Sequence, residues 1–163
     1  MMTRRIFFML VFFVFGASLS MAQLTKMYSN ARFNYSIKYP AAMIADPPPT
    51  NGDGQSYRSA DGLAEYTTWG SVVMRTDTVL QEQLFMATEG RRVTLKRVKP
   101  TFIVVSGFQD DGRIFYRKTI LVKANTVPGM SYDYIKSFEI VYPANQRNPY
   151  DKIVTEIAHA FVK

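Results

Sequence analysis

The stretch ADPPPTNGDGQSYRSADGLAEYTTWG, residues 45–70, decides the fold because it contains the densest run of proline and glycine in the chain. Three consecutive prolines, Pro47–Pro49, favour an extended approach, since each ring fixes φ and lacks a backbone donor. Asn51–Gly54 (NGDG) then contains two adjacent turn dipeptides, in which glycine accepts a positive φ and Asn or Asp bonds its own backbone. The stretch predicts a sharp corner, with the other elements placed before and after it.

A β-hairpin is predicted directly after this corner. Gln55–Ala60 and Leu63–Trp69 both have the composition of strands. Asp61-Gly62 between them is the best hairpin signal in the chain, because these residue types tolerate the backbone of a tight turn.

Alternation and turn signals predict the remaining strands. Phe33–Tyr39 (FNYSIKY) places its apolar side chains on one face, and Pro40 ends it because proline cannot donate to a sheet. Leu24–Ala31, before it, is interpreted as a polar lead-in. Three strands then form an antiparallel meander, and a last strand follows a loop at Ala124–Ser131. These four strands are predicted at Arg92–Val98, Thr101–Phe108, Arg113–Lys123 and Tyr132–Tyr142.

Two segments have helical periodicity. The first is predicted from Thr78 to Glu89, with Thr78 and Gln81 as a capping box and Gly90 as its end. The second is Asn148–Lys163, in which Asn148 can cap and Pro149 occupies the first helical position. Its apolar stripe consists of Ile153, Val154, Ile157, Ala158 and Phe161. The pattern predicts an α+β fold: a single mainly antiparallel sheet of six or seven strands, covered by helices, with a C-terminal amphipathic helix.

The N-terminal segment is typical of a secretory signal peptide. Arg4 and Arg5 precede an apolar core, Ile6–Phe15, and Ser20–Ala22 places small residues at a cleavage site. An uncleaved anchor is the alternative, but a membrane span needs roughly 20 apolar residues. We expect cleavage after Ala22, so that residues 1–22 are removed and residues 23–163 form one domain with no membrane span, in the periplasm or secreted.

Composition limits the chemistry that the chain can perform. It has no cysteine and one histidine, His159, which points away from the apolar stripe of its helix. Disulfides, Cys-His and Ser-His-Asp constellations and Cys/His zinc sites are therefore not expected. The net charge of +7 includes Arg4 and Arg5 of the predicted signal peptide. The positive charge that remains without them favours weak attraction to anionic surfaces. Outside the cytoplasm, nucleic acid is not an expected partner.

Three kinds of site remain open. Six acidic residues could supply a carboxylate pair for acid-base or glycosidic chemistry: Asp53, Asp61, Glu65, Asp110, Asp111 and Glu139. Asn51, Asp53 and Gln55 resemble the start of a calcium loop, but Ser56 replaces its glycine and Gly62 its bidentate glutamate. Eight basic residues form either a solvated outer face or an anion-binding patch: Arg91, Arg92, Lys96, Arg97, Lys99, Arg113, Arg117 and Lys118.

Five motifs resemble a group of small exported bacterial proteins of unassigned role. They are Tyr28–Met43 (YxNxRFxxSIxYPxxM), Pro47–Ala64, Trp69-Gly70, Ser106–Thr119 and Phe138–Phe161. More distantly, the order of strands, helix, meander and long C-terminal helix resembles the PsbP-like fold, named for an extrinsic subunit of the oxygen-evolving photosystem. This resemblance implies a mixed sheet flanked by helices and a binding, chaperone or accessory role, with no catalytic residues to carry over.

We therefore expect an exported, non-enzymatic binding or accessory protein without a cofactor, whose partner is an envelope protein or glycan. Trp69 either packs in the core or forms a ligand platform. The candidate binding residues are Asn51, Asp53, Arg58, Ser59, Asp61 and Trp69, with Arg117 as an anion partner. The alternatives are a cell-envelope hydrolase that uses a carboxylate pair, or a basic module that docks on anionic envelope polymers.

Overall fold

The computed structural model describes residues 24–126, 129 and 131–162. The predicted signal peptide and its cleavage site lie outside the described residues. Within these ranges, none of the helices has the length and apolar character needed to cross a membrane.

The described chain forms nine strands, two α-helices and two short 3₁₀ turns. The strands are β1 (Thr25–Asn30), β2 (Tyr35–Pro40), β3 (Ile44–Ala45), β4 (Gly54–Arg58), β5 (Glu65–Val72), β6 (Arg92–Lys99), β7 (Phe102–Phe108), β8 (Ile114–Val122) and β9 (Tyr134–Tyr142). The helices are α1 (Val79–Thr88) and α2 (Arg147–Ala160). Strands β3 to β9 form one antiparallel sheet in the order β3-β4-β5-β9-β8-β7-β6. This confirms the α+β fold with a seven-stranded sheet and a C-terminal helix.

The last strand in sequence, β9, lies at the centre of the sheet between β5 and β8. Its even-numbered residues, such as Phe138 and Ile140, pack beneath α2 and the β1-β2 pair. Its odd-numbered residues Ile135 and Val141 belong to a second core beneath α1. Because both faces of β9 are covered for most of its length, its composition is nearly continuously apolar.

The interpretation of Leu24–Ala31 as a lead-in is wrong, because most of this segment forms β1. β1 pairs with β2 in a separate two-stranded sheet. Two of its polar residues are buried with partners: the Thr25 hydroxyl donates to Glu156 Oε1 at 2.8 Å, and Asn30 Oδ1 accepts the amide of Phe33 at 2.9 Å. A polar composition therefore did not prevent this segment from forming a strand. The strand predicted at Phe33–Tyr39 corresponds to β2, so it does not belong to the main sheet.

The predicted helix caps are also wrong. The Thr78 hydroxyl donates to Glu82 Oε1 at 2.6 Å instead of accepting a backbone amide, so no capping box forms with Gln81. Helix α2 begins at Arg147, before Asn148, because a 3₁₀ turn at Ala144–Gln146 leads into it. The apolar stripe is confirmed, since Val154, Ile157 and Phe161 are buried.

The corner and hairpin form as predicted in outline. β4 and β5 pair, and Gly62 in the connecting loop has φ of +71°. Gly52 also has a positive φ, +63°, as a turn requires. Gly54, however, does not form a turn. It is the first residue of β4 and pairs with Trp69 of β5.

Replacing Gly54 with alanine is expected to lower the free energy of unfolding by about 1–3 kcal/mol or more, as overpacking does. The added Cβ would lie 2.0 Å from the carbonyl oxygen of Thr68 and 2.8 Å from the Cα of Trp69, both backbone atoms that cannot rotate away. Gly52→Ala is the control, because nothing lies within 4 Å there and only the positive φ is strained, at about 1 kcal/mol. Urea unfolding measures both, and an equal loss in the two variants would contradict the steric argument.

Asp133 is expected to make stability depend on acid pH. Its carboxylate accepts the amide of Ala124 at 2.9 Å, the Thr76 hydroxyl at 2.8 Å and Lys123 Nζ at 3.0 Å. These bonds, led by the backbone amide, lower the pKa of Asp133 to about 2. Because the folded pKa lies below the unfolded one, the stabilisation is complete above about pH 4 and is lost as the pH falls through about 2.

Urea unfolding of the native protein and of Asp133→Asn at several pH values measures this effect. The difference in free energy of unfolding between them should be largest at neutral pH and should shrink towards pH 2. A difference that stays constant over that range would show that the carboxylate charge is not involved.

Candidate anion-binding groove

One half of a sheet face remains open beside α1. The helix packs over β7 and β8, whereas Ser56, Thr67 and Trp69 on the neighbouring strands stay partly exposed. The register aligns one cross-strand row, Ser56, Thr67, Glu139, Arg117 and Val105, through β4, β5, β9, β8 and β7. Directly paired residues share a face, so this row runs from the open half of the sheet to the part beneath α1.

A cavity of about 260 Å³ lies along this row at the edge of α1. We call it the Arg117 groove. It is lined by Glu65, Thr67, Trp69, Arg91, Arg117, Glu139 and Val141.

Arg117 is the central cation of this groove. Arg117 is only 9% exposed, and its guanidinium carbon lies 4.7 Å from the centroid of the Trp69 ring. Nη2 donates to Gln83 Oε1 of α1, and Nη1 lies 4.0 Å from Glu139 Oε2. Among the described residues, its buried Nε has no hydrogen-bond partner. Burial lowers the pKa of Arg117, although the Glu139 carboxylate opposes that shift.

A second arginine neutralises the carboxylate of the groove. Arg91 donates from Nη1 and Nη2 to the two oxygens of Glu139, both at 2.9 Å, in a bidentate pair. Its guanidinium also lies 4.5 Å from the centre of the Phe115 ring. The cluster of two arginines and one glutamate has a net charge of +1, so the single carboxylate compensates only one of the two guanidinium groups.

A second cavity of about 400 Å³ adjoins the groove on the corner side. It is lined by Asp46, Pro47, Pro49, Asp53, Gly54, Gln55, Ser56, Thr67, Thr68 and Trp69. Both cavities share Thr67 and Trp69, so the indole lies between them. From β4 to β8 the combined surface spans three strand spacings, roughly 15 Å, which is enough for an extended ligand.

The structure brings only some of the predicted site residues to this surface. Asp53, Trp69 and Arg117 line its two cavities. Asn51 is exposed and donates to Asp53 Oδ2 at 2.8 Å, while Arg58 lies 3.2 Å from Asp46 in an exposed ion pair.

Ser59 and Asp61 lie elsewhere, in the hairpin loop. They line a different cavity of about 500 Å³ next to α2. The Ser59 hydroxyl donates to Asp61, and the amide of Leu63 donates to Asp61 Oδ1 at 3.0 Å. These hydrogen bonds lower the pKa of the Asp61 carboxyl, and they stabilise the loop itself.

Sequence reasoning did not place Gln83 and Thr67 in the site, and it included Arg91 only as one of eight basic residues that form either a solvated face or an anion-binding patch. Helix α1 supplies Gln83 only because it packs beside β8. A local signal did exist for Arg117, since Phe115 and Thr119, two positions before and after it, are fully buried on the same face. Alternation thus predicts an inward-facing arginine.

Two lysines on the opposite face have a structural role that the sequence did not indicate: Lys118 was predicted to lie on a solvated face or in an anion-binding patch, and Lys136 was not singled out. Lys118 Nζ donates to the carbonyls of Ala158 at 2.8 Å and Phe161 at 2.6 Å, and Lys136 Nζ donates to that of Val162 at 2.7 Å. Cations at the C-terminal end of a helix satisfy its free carbonyls and interact favourably with its dipole. Their role is to hold the end of α2 on the sheet.

All of the acidic candidates except Asp110, which is exposed, are occupied by contacts among the described residues. Both oxygens of Glu139 accept from Arg91, and Glu65 and Asp111 accept from Arg113 at 3.0 and 2.7 Å. Gln55 donates to the carbonyl of Asp46 instead of turning towards Asn51 and Asp53, so the calcium-loop pattern does not converge. In the described part of the chain, no group of three or more His, Cys, Asp or Glu residues is placed to hold a metal ion.

Comparison with known proteins gives a match in structure alone. No family model matches the sequence, and no curated protein matches it. The fold is similar to the solution structure of cyanobacterial PsbP (CyanoP) from Synechocystis sp. PCC 6803, with a TM-score of 0.51 and 9% sequence identity. The match covers 89% of this chain and 96% of that chain. At this identity the similarity concerns the fold and not the function. The chain therefore has a PsbP-like fold, as the order of its strands and helices predicted.

Proposed function

We propose that this chain is a non-enzymatic binding or accessory domain that acts outside the cytoplasm and holds an anionic group of its partner in the Arg117 groove. The observation that carries this proposal is the Arg117 guanidinium, which is nearly buried, lies over the Trp69 ring and has one nitrogen without a hydrogen-bond partner among the residues that the structure describes. A buried cation whose charge is not fully compensated is costly. An incoming carboxylate would supply the missing charge and a strong charge-assisted hydrogen bond.

The surroundings of Arg117 suit a partner that extends beyond its anionic group. Trp69 offers an aromatic surface between the two cavities, and tryptophan and arginine are enriched where binding energy is concentrated. The hydroxyls of Ser56 and Thr67, 3.1 Å apart, add donors and acceptors along the floor. An envelope glycan with acidic sugars or an acidic protein segment has this chemistry.

The ion pairing of the carboxylate next to Arg117 favours a binding function over hydrolysis. A glycosidase needs one carboxylic acid that donates a proton to the leaving group. Glu139, the acidic residue nearest Arg117, accepts hydrogen bonds from Arg91 at both oxygens, so it is held in a bidentate ion pair within the protein. The groove thus presents a fixed cation and an aromatic ring, and the two carboxylates that line it, Glu65 and Glu139, are both in ion pairs with arginine.

Trp69 makes the proposal directly testable, because it is the only tryptophan in the chain. Its fluorescence is titrated with trigalacturonate, with a blocked glutamate dipeptide and with inorganic phosphate as probes. We expect a saturable change with at least one probe, and an affinity about tenfold lower in Arg117→Gln, as the loss of one charge-assisted contact predicts.

Arg58→Gln is the matched control, since it removes an exposed arginine from the β4-β5 hairpin that carries Trp69. Its affinity should equal that of the native protein, because exposed ion pairs contribute little. Equal affinities in the native protein and in Arg117→Gln, with both variants folded, would refute the groove as the binding site.

Export is tested separately. Expression of the full chain in a Gram-negative host, followed by mass spectrometry of the periplasmic fraction, should recover a protein that begins at Gln23. Recovery of only the uncleaved chain from the membrane fraction would contradict the proposed location.

A further inference from the structure

Strand β6 forms a long open edge of the main sheet. It has eight residues and lies at the end of the strand order, paired with β7 alone among the described strands. The opposite edge strand, β3, has only two residues. In an edge strand of an antiparallel sheet, alternate backbone N–H and C=O groups point outwards without a strand partner. β6 therefore offers a row of free main-chain donors and acceptors.

This edge is strongly basic. Arg92, Lys96, Arg97 and Lys99 are all exposed, and none forms an ion pair within the described part of the chain. The segment from Gly90 to Gly107 contains no acidic residue. Four uncompensated cations thus line eight residues of open backbone.

Apolar side chains accompany these charges on both faces of the sheet. Leu95 is 46% exposed and Val98 is 40% exposed. Leu95 pairs with Ser106 and Val98 with Ile103, positions that lie on opposite faces of β7. A strand laid along β6 would therefore cover one apolar side chain above the sheet and one below it. The register shift between Val93 and Leu95 limits the regular edge to residues 95–99.

We propose that β6 is a docking edge at which an extended acidic segment of a partner protein adds to the sheet as an eighth strand. Strand addition satisfies the outward amides and carbonyls, and acidic side chains on the added strand pair with the four cations. A second copy of this chain is disfavoured because its own β6 would place like charges against like charges. An anionic glycan would match the charges but not the pattern of backbone hydrogen bonds.

This site is independent of the Arg117 groove. β6 is separated from β8, which carries Arg117, by the whole of β7. Substitutions on the exposed face of β6 therefore leave the groove intact, and each site can fail its own test without affecting the other.

The test uses a blocked ten-residue peptide with β-branched residues and four glutamates distributed over both faces of the extended chain. Binding to the full mature protein is followed by NMR. We expect slowed hydrogen exchange at alternate amides of residues 95–99, because only strand pairing protects outward-pointing amides. The same peptide, N-methylated at alternate residues, keeps its charge but cannot pair, and should bind about tenfold or more weakly.

Two triple variants test whether peptide binding depends on the cations of β6 or only on the net charge of the protein. Lys96→Gln/Arg97→Gln/Lys99→Gln should weaken binding of the unmodified peptide by about tenfold or more. Lys26→Gln/Arg75→Gln/Lys152→Gln removes the same charge from exposed positions elsewhere and should have an effect of about twofold at most. All six side chains are exposed, so both variants are expected to fold.

Three results would overturn the proposal. One is equal binding of the N-methylated and unmodified peptides. A second is binding of polygalacturonate that matches that of the peptide, which would identify β6 as a general polyanion surface. The third is the absence of protected β6 amides at saturating peptide.

Discussion

Phe161→Ala is expected to lower the free energy of unfolding by about 3–5 kcal/mol, the usual cost of removing a fully buried aromatic ring. Phe161 is 1% exposed at the end of α2. Its ring lies 5.5 Å from that of Phe138 on β9 and 6.1 Å from that of Tyr35 on β2, both in edge-on geometry. One residue thus joins the C-terminal helix, the central strand and the β1-β2 pair, and alanine would leave a cavity among all three.

Phe85→Ala provides the matched control for this measurement. Phe85 lies on α1 and is 61% exposed, so the same substitution removes little buried surface and should change stability by about 0.5 kcal/mol or less. Urea unfolding followed by circular dichroism measures both variants. If the two losses are similar, Phe161 does not connect the helix to the sheet in the way described.

Glu139→Gln is expected to have two opposite effects. It removes the carboxylate that Arg91 and Arg117 share, and leaves two partly buried guanidinium groups without a counter-charge. Loss of one partner from a buried ion pair typically costs 3–5 kcal/mol, and the partial exposure of these groups reduces the expected loss to about 2–3 kcal/mol. At the same time the net charge of the cluster of Arg91, Arg117 and residue 139 rises from +1 to +2, so an anionic probe should bind several times more tightly.

The pair of measurements separates a structural ion pair from a binding site. Unfolding experiments report the first effect, and titration of Trp69 fluorescence with the carboxylate probes reports the second. Glu82→Gln, on the exposed surface of α1, serves as the control with the same chemical change. A less stable protein with unchanged or weaker anion affinity would mean that the arginine cluster acts only in folding.

Elements with a strong local signal were predicted correctly from the sequence. The hairpin around Asp61-Gly62, the helix that ends before Gly90 and the last strand ahead of Pro143 all appear within a few residues of their predicted bounds. Periodicity and turn chemistry act over a few neighbouring residues, so they can be recognised without knowledge of the rest of the chain.

Elements that depend on distant partners were not predicted. β1 has a polar composition, and buried Thr25 has a partner there because its hydroxyl donates a hydrogen bond to Glu156 of α2. Gly54 was predicted as a turn residue, but its lack of a side chain matters because the carbonyl of Thr68 on the neighbouring strand is so close. In both cases the decisive atom belongs to another element.

The candidate site shows the same division. Ser59 and Asp61 lie close in sequence to the corner, yet the hairpin carries them to the cavity beside α2. Arg117, which is far from Trp69 in sequence, stacks on its ring because β9 lies between β5 and β8. Strand order, which local patterns do not encode, selects the residues that meet.

The sequence by itself determined the positions of most strands, helices and turns, the excess of positive charge and the absence of cysteine. Only the tertiary structure decided which cations are buried and which are free. Arg117, Lys118 and Lys136 are directed into contacts beneath or beside the helices, whereas the cations of β6 remain on an open edge. The reason is physical: the cost of a charge depends on the strands and helices that pack around it, and these come from distant parts of the chain.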